Sequence, residues 1–173
     1  PEQPGGRLVI SFSPRYDVQD YEIELDFQPQ SFHLSARAKL GLLSNIDGLD
    51  AAKFRLYPGF EILRIYDSER RELLFTQDPV GRILYVYFLE PIDKNVRTDF
   101  EVFYRGRLEP PAQLTDAAAA QRYEFEPSGI PVRFDTFLFS QSAQWYPHPI
   151  SDDFFTARLK IIVDNLFGTS RDY

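Results

Sequence analysis

The chain contains no cysteine and no methionine, one tryptophan and two histidines. Without Cys there is no disulfide, no thiolate metal ligand and no thiol nucleophile, although composition alone leaves the compartment open because many exported proteins also lack Cys. A complete translation product begins with Met, so the sequence reads as one that has lost its start. His33 and His148 lie far apart, and the His-Glu-x-x-His pattern that presents two zinc ligands on one helical face is absent. His33, beside a turn, reads as an exposed tip residue, and His148, between Pro147 and Pro149, as structural rather than ligating. There is no Gly-x-Ser-x-Gly and no Gly-rich phosphate loop between a strand and a helix. Lys and Arg are in deficit, with a net charge of -7, which argues against a nucleic-acid partner. No apolar run approaches the ~20 residues that span a bilayer, and no signal peptide is visible. A leader or membrane anchor removed from a parent protein would leave no trace here.

What is present points to β structure. At 173 residues the chain is long enough for one domain that buries roughly 70% of its unfolded surface. Hydrophobic residues make up 43% and charged residues 26%, while aromatics reach 16%, a content that suits half-buried pleated surfaces. Tyr21, Ile23, Leu25 and Phe27 alternate with Glu22, Glu24 and Asp26. After Gln28-Pro29-Gln30-Ser31, the residues Leu34, Ala36, Ala38, Leu40 and Leu42 alternate with Ser35, Arg37, Lys39 and Gly41. Period two on both sides of a four-residue turn predicts a hairpin with one buried face.

Further strands are expected at 8–12, 53–57, 61–67, 72–76, 83–88, 99–104, 133–139 and 154–163, with 45–52 as a turn-rich connection and Glu90-Pro91 ending the strand before it. In 83–88 both faces are apolar, which predicts a central strand. In the last strand Phe155, Ala157, Leu159, Ile161 and Val163 share a face. Turn signals every 8 to 12 residues indicate an all-β fold, a curved or saddle-shaped sandwich of mostly antiparallel strands. Helix is limited to a short turn at 115–121. Residues 1–6 read as a linker, 7–165 as a single β-sandwich domain, and 166–173 as a cut or linker tail. The stretch 108–131, with four prolines, is either a partner-facing loop or a variable insertion.

Candidate chemistry is sparse. Asp152 and Asp153 are adjacent, so on a strand they would point to opposite faces and make a poor acid/base pair; Glu124 and Glu126 read as a solvated face. No catalytic residue and no metal or other cofactor is expected within this chain. Trp145-Tyr146-Pro147 is the sharper signal, because Trp and Tyr combine large rigid area with a hydrogen-bonding handle. Trp145 is expected to plug the end of the core and Tyr146 to face outward, since consecutive residues of an extended segment point to opposite sides.

Three segments occur in a telling order: Tyr16-Asp17-Val18 through Tyr21, Ile23, Leu25-Asp26-Phe27 and Pro29, then Tyr104-Arg105-Gly106, then Trp145-Tyr146-Pro147. Together with Leu34-Ser35-Ala36 they resemble the N-terminal β-domain of the aminopeptidase N-like zinc metallopeptidases, the gluzincin aminopeptidases. The resemblance implies a non-catalytic accessory domain that docks on a C-terminal catalytic or pseudo-catalytic domain of the same polypeptide and borders its substrate cleft. It inclines the compartment towards the periplasm or the extracellular space. In those enzymes a Gln of this domain lies near the substrate amino group, and the strand after the aromatic-Pro segment runs along the domain border. Gln141, Gln144, Trp145, Tyr146 and His148 are thereby implied as domain-border or substrate-side contacts. The familiar Cys-x-Asp-x-Pro is replaced by His148-Pro149-Ile150-Ser151-Asp152, and the Gly-x-Met-Glu-Asn strand is missing. An isolated domain of this kind is expected to self-associate through apolar surface near Trp145, Tyr146 and Phe154. The alternative from the residues alone is a free-standing β-sandwich module whose exposed aromatics hold a carbohydrate or a protein.

Overall fold

The alternation around the first turn folds as its period requires. In the computed structural model, which describes residues 14–28, 31–78, 80, 82–107, 144–150 and 154–163, β1 (Tyr16–Gln28) runs antiparallel to β2 (His33–Ser44). Tyr21, Ile23, Leu25 and Phe27 stand opposite Leu40, Ala38, Ala36 and Leu34, and all eight are buried. Then follow β3 (Leu49–Arg55), β4 (Phe60–Asp67), β5 (Leu74–Asp78), β6 (Ile83–Ile92), β7 (Arg97–Arg107), β8 (His148–Pro149) and β9 (Thr156–Val163). They form a five-stranded sheet in the order β4-β7-β2-β1-β9 and a four-stranded sheet in the order β5-β6-β3-β8. Every pairing is antiparallel except β1 with β9. The fold is all-β, as expected, and among the described residues there is no helix, hence none that could cross a membrane.

The two sheets share one core. Leu25, Leu40, Phe100, Val102 and Tyr104 of the larger sheet meet Ala52, Phe54, Leu84 and Val86 of the smaller one, and each is at most 1% exposed. Phe54 sits with its ring centroid 5.7 Å from Phe100 and 5.9 Å from Tyr16, so single aromatic contacts bridge the layers. Burying side chains of this size contributes ~1.5 to 3 kcal/mol each.

Three local features differ from the sequence expectation. Leu49 and Ala52 are fully buried and begin β3, so the connection shortens to 45–48, turned by Gly48 at φ 71°. Strand β6 runs through Glu90-Pro91 to Ile92, because the register shifts between Leu49 and Ala51 and the missing Pro N–H falls where the ladder is already broken. Strand β9 has the expected shared face, its Ala157, Leu159, Ile161 and Val163 aligning with Tyr21, Ile23, Leu25 and Phe27. That face nonetheless stays open: Leu159, Ile161 and Val163 are 46%, 43% and 54% exposed, and β9 ends the sheet among the described residues. The expected strands at 8–12 and 133–139, the stretch 108–131 with its helical turn, Glu124, Glu126, Gln141, Asp152, Asp153 and both terminal segments lie outside the described residues.

The glycine of Tyr104-Arg105-Gly106 has a physical reason. Gly106 of β7 pairs with Phe60 at the start of β4, just after the turn at Pro58-Gly59. A Cβ on Gly106 would fall 2.4 Å from the Gly59 carbonyl oxygen and 3.0 Å from the Phe60 Cα. Only a residue without a side chain lets these backbones approach.

Candidate functional site

Residues 144–150 are held against the core by tyrosines whose positions follow from the strand pattern. Tyr21 occupies an inward position of β1 and donates its hydroxyl to the Pro147 carbonyl oxygen at 2.7 Å. Tyr104, inward on β7, donates to the Trp145 carbonyl oxygen at 3.0 Å. The Tyr57 backbone N–H donates to the Gln144 carbonyl oxygen at 2.8 Å, and β8 pairs Pro149 with Phe54 and His148 with Arg55. Phenols at inward positions thus satisfy carbonyls of a segment too irregular to satisfy itself.

The side chains of this segment form an aromatic cluster. Tyr146 packs edge-on against Trp145 at 4.8 Å, His148 at 5.4 Å and Tyr21 at 5.5 Å, and Phe155 closes on Tyr21 at 4.8 Å. Trp145, Tyr146 and His148 are 5%, 8% and 3% exposed. Trp145 therefore lies in the core as expected, whereas Tyr146 does not face outward. The reason is backbone geometry: Gln144 has φ 51° and the chain bends at Tyr146, so opposite-side alternation, which requires extended backbone, does not apply. The His148 Nδ1 lies 2.8 Å from the Pro149 carbonyl oxygen. A carbonyl only accepts, so Nδ1 carries the proton.

The phenols of the cluster are held neutral. Burial pushes the phenols of Tyr21, Tyr104 and Tyr146 above their ordinary value, with neighbouring tyrosines adding to the effect at Tyr21 and Tyr104. These hydroxyls stay protonated at neutral pH, which suits hydrogen-bond donation and not proton transfer. Gln144 is half-buried, and its side-chain oxygen is buried without a hydrogen-bond partner among the described residues. No group of three or more acidic or imidazole side chains that could hold a metal occurs among the described residues. Of the residues implied as contacts, the structure brings together Gln144, Trp145, Tyr146 and His148.

The outer faces of the two sheets differ in character. On the larger sheet Arg37 bridges Glu24 at 3.4 Å and Glu101 at 2.7 Å, Arg70 reaches Glu101 at 2.8 Å, and Arg105 holds Glu61 at 3.0 Å. On the smaller sheet, Leu74, Tyr87 and Ala51 form one cross-strand row and Thr76, Tyr85 and Lys53 the next. Thr76 and Tyr87 share a 3.1 Å hydroxyl contact, and the Lys53 ammonium sits 5.3 Å from the Tyr85 ring centroid. Leu74 is 74% exposed, and Leu89, further along β6, is 49% exposed. Sequence alternation placed Ile83, Tyr85 and Tyr87 on one side of a central strand, but not which side the second sheet would cover.

The architecture is that of an all-β sandwich domain with a pinned aromatic-proline segment at one end. Among solved structures, it is similar to a point variant of an M1 zinc metallopeptidase from Deinococcus radiodurans bound to a Tyr-Ser-Ala substrate, with a TM-score of 0.57 and 18% identity over 84% of this chain and 32% of that one. A second structure of a variant of the M1 zinc metallopeptidase from that organism gives a TM-score of 0.56 and 19% identity over 84% of this chain and 32% of that one. No protein-family model matches the sequence, and no curated protein matches it. At this identity the likeness is one of fold. The chain spans about a third of the length of these enzymes, at 32%.

Proposed function

We propose that the chain is the non-catalytic N-terminal accessory domain of a larger aminopeptidase N-like protein, docking on a catalytic or pseudo-catalytic domain and bordering its substrate cleft. The fold likeness to a third of an M1 zinc metallopeptidase supports the context. The observation that carries the docking role is the asymmetry of the outer faces. The larger sheet sets Arg37, Arg70 and Arg105 against Glu24, Glu61 and Glu101 and suits water, whereas the smaller sheet presents Leu74, Tyr85, Tyr87 and Leu89 as an apolar strip. On this reading the strip meets the neighbouring domain, and half-buried Gln144, next to the aromatic cluster, borders the substrate side.

The test has two arms. The reading frame downstream of Tyr173 should encode a His-Glu-x-x-His region or a degenerate form of it. Amide exchange in that longer protein should be slower across β5 and β6 than in the 173-residue chain. A frame that continues into an unrelated domain, or unchanged exchange at β5 and β6, defeats the proposal. Among the described residues Trp145 and Tyr146 are buried, so a free-standing binding module would use other aromatics, such as the exposed Tyr87.

A further inference from the structure

The outer face of the larger sheet carries a depression of about 380 Å³ that is independent of the docking strip. Its origin is a size difference within one cross-strand row. Asp26 of β1, Ser35 of β2 and Arg105 of β7 are consecutive partners, and the small Ser35 leaves a floor between two long walls. Gln28, Ser31 and His33 close the end at the hairpin turn.

The walls carry opposite charge, and neither is neutralised across the depression. Glu24, Glu61 and Glu101 each contact an arginine, while among the described residues Asp26 has no cationic partner. Arg105 engages Glu61 through Nε at 3.0 Å, and its terminal nitrogens have no acidic partner among the described residues. The two residues stand on strands two spacings apart, about 10 Å between Cα atoms. An Asp–Arg pair that has not closed over such a gap presents an acceptor at one end and a fork of donors at the other. The volume lies in the range of small-molecule sites, and an extended dipeptide is about 7 Å long.

We infer that this depression binds a small zwitterion, a free amino acid or dipeptide, with its ammonium on Asp26 and its carboxylate on Arg105. Ser31, Gln28 and His33 supply polar contacts to the portion between.

The test is titration of dialanine into the isotope-labelled 173-residue chain, followed by amide chemical shifts. Saturable shifts should centre on Asp26, Ser35 and Arg105. N-acetylation should weaken binding about threefold to tenfold, as should amidation of the other end. Asp26→Asn should abolish the penalty for acetylation while keeping that for amidation, and Arg105→Gln should do the reverse. Both positions are exposed, so the variants keep the fold, and their unbound spectra establish it. Shifts that do not saturate, that lie elsewhere, or that respond alike to both blocked peptides in both variants overturn the assignment. None of these outcomes bears on the docking strip, which lies on the other sheet.

Discussion

Tyr104 and Trp145 are joined by a buried hydrogen bond of 3.0 Å from the phenol to the backbone carbonyl, linking β7 to a segment 41 residues later in the chain. Tyr21 makes the equivalent bond to Pro147 across 126 residues. The two phenols fix the backbone of an irregular segment onto β1 and β7, the two strands that flank β2 in the larger sheet. Tyr104→Phe removes the donor while retaining the ring, so a buried carbonyl loses its partner. The expected cost is ~1 to 3 kcal/mol. Chemical denaturation measures it, and amide exchange should show residues 144–150 opening at lower free energy than β2. Unchanged stability and unchanged exchange would show the bond to be dispensable.

Both aromatic residues of the cluster are core residues. Trp145→Ala and Tyr146→Ala should each lower stability by ~3 to 5 kcal/mol, the usual range for aromatic-to-alanine changes in cores. They should be less than additive when combined, because the rings contact each other at 4.8 Å. A thermal melt of Tyr146→Ala within error of the parent would contradict the burial seen here.

Much of the architecture was legible in the sequence, and the failures have identifiable causes. The hairpin of β1 and β2 follows from period two on both sides of one turn, a signal no helix can mimic. The start of β3 was hidden because Leu49 and Ala52 adjoin Asn45, Asp47 and Gly48, whose turn chemistry dominates the window. Tyr146 was misplaced because alternation was assumed between Trp145 and Tyr146, whereas the chain bends at Tyr146 and is not extended there. The tethers of Tyr21 and Tyr104 depend on pairing between distant segments. Local sequence could say only that a phenol occupied an inward position. Alternation likewise separates two faces of β6 without saying which one receives the second sheet.

Alkaline pH should destabilise the domain in a defined window. Burial pushes the Tyr16 phenol up to about 12, against the lowering effect of its hydrogen bond with the Lys53 backbone. In the unfolded chain the group titrates near 10. The unfolded state therefore releases this proton first, and the stability Tyr16 contributes is intact below pH ~10 and is lost as pH rises towards ~12. Tyr21, Tyr104 and Tyr146 are raised in the same direction and deepen the loss. Denaturant midpoints from pH 8 to pH 11 should fall only beyond about pH 10, with tyrosinate absorbance growing as the chain unfolds. A midpoint that rises with pH over that range would reverse the sign argued here.

Gly106→Ala should be destabilising by more than a surface change. The new methyl would meet the Gly59 carbonyl oxygen at 2.4 Å and the Phe60 Cα at 3.0 Å, both backbone atoms. The pairing of β7 with β4 must then shift, at ~1 to 3 kcal/mol for an overpacked site. Gly48→Ala tests a different cause: its φ is 71° with open space around the Cβ, so its cost should be ~1 kcal/mol and confined to the turn. If Gly106→Ala proves the milder of the two by equilibrium unfolding, close approach is not what selects glycine there.

The isolated domain should self-associate, and the exposed edge of β9 is the surface argued for here. Natural edge strands are blunted by lysine, proline or bulges. Arg158 and Lys160 serve that purpose early in β9, but Ile161, Ile162 and Val163 follow with 43%, 48% and 54% exposure. An apolar run on a strand that ends the sheet among the described residues invites another strand. The aromatic cluster adds little to such a surface, since Trp145 and Tyr146 are buried, although Phe154 is 99% exposed. Ile162→Lys places a charge on the β9 face away from the core without removing a buried group, so it should leave the melting temperature unchanged and raise the concentration at which dimers appear in light scattering. Phe154→Ser separates the two surfaces, because it should alter association only if the aromatic end is the contact. Association lowered by Phe154→Ser and untouched by Ile162→Lys would move the contact from the strand edge to the aromatic end. A strict monomer at high protein concentration would remove both.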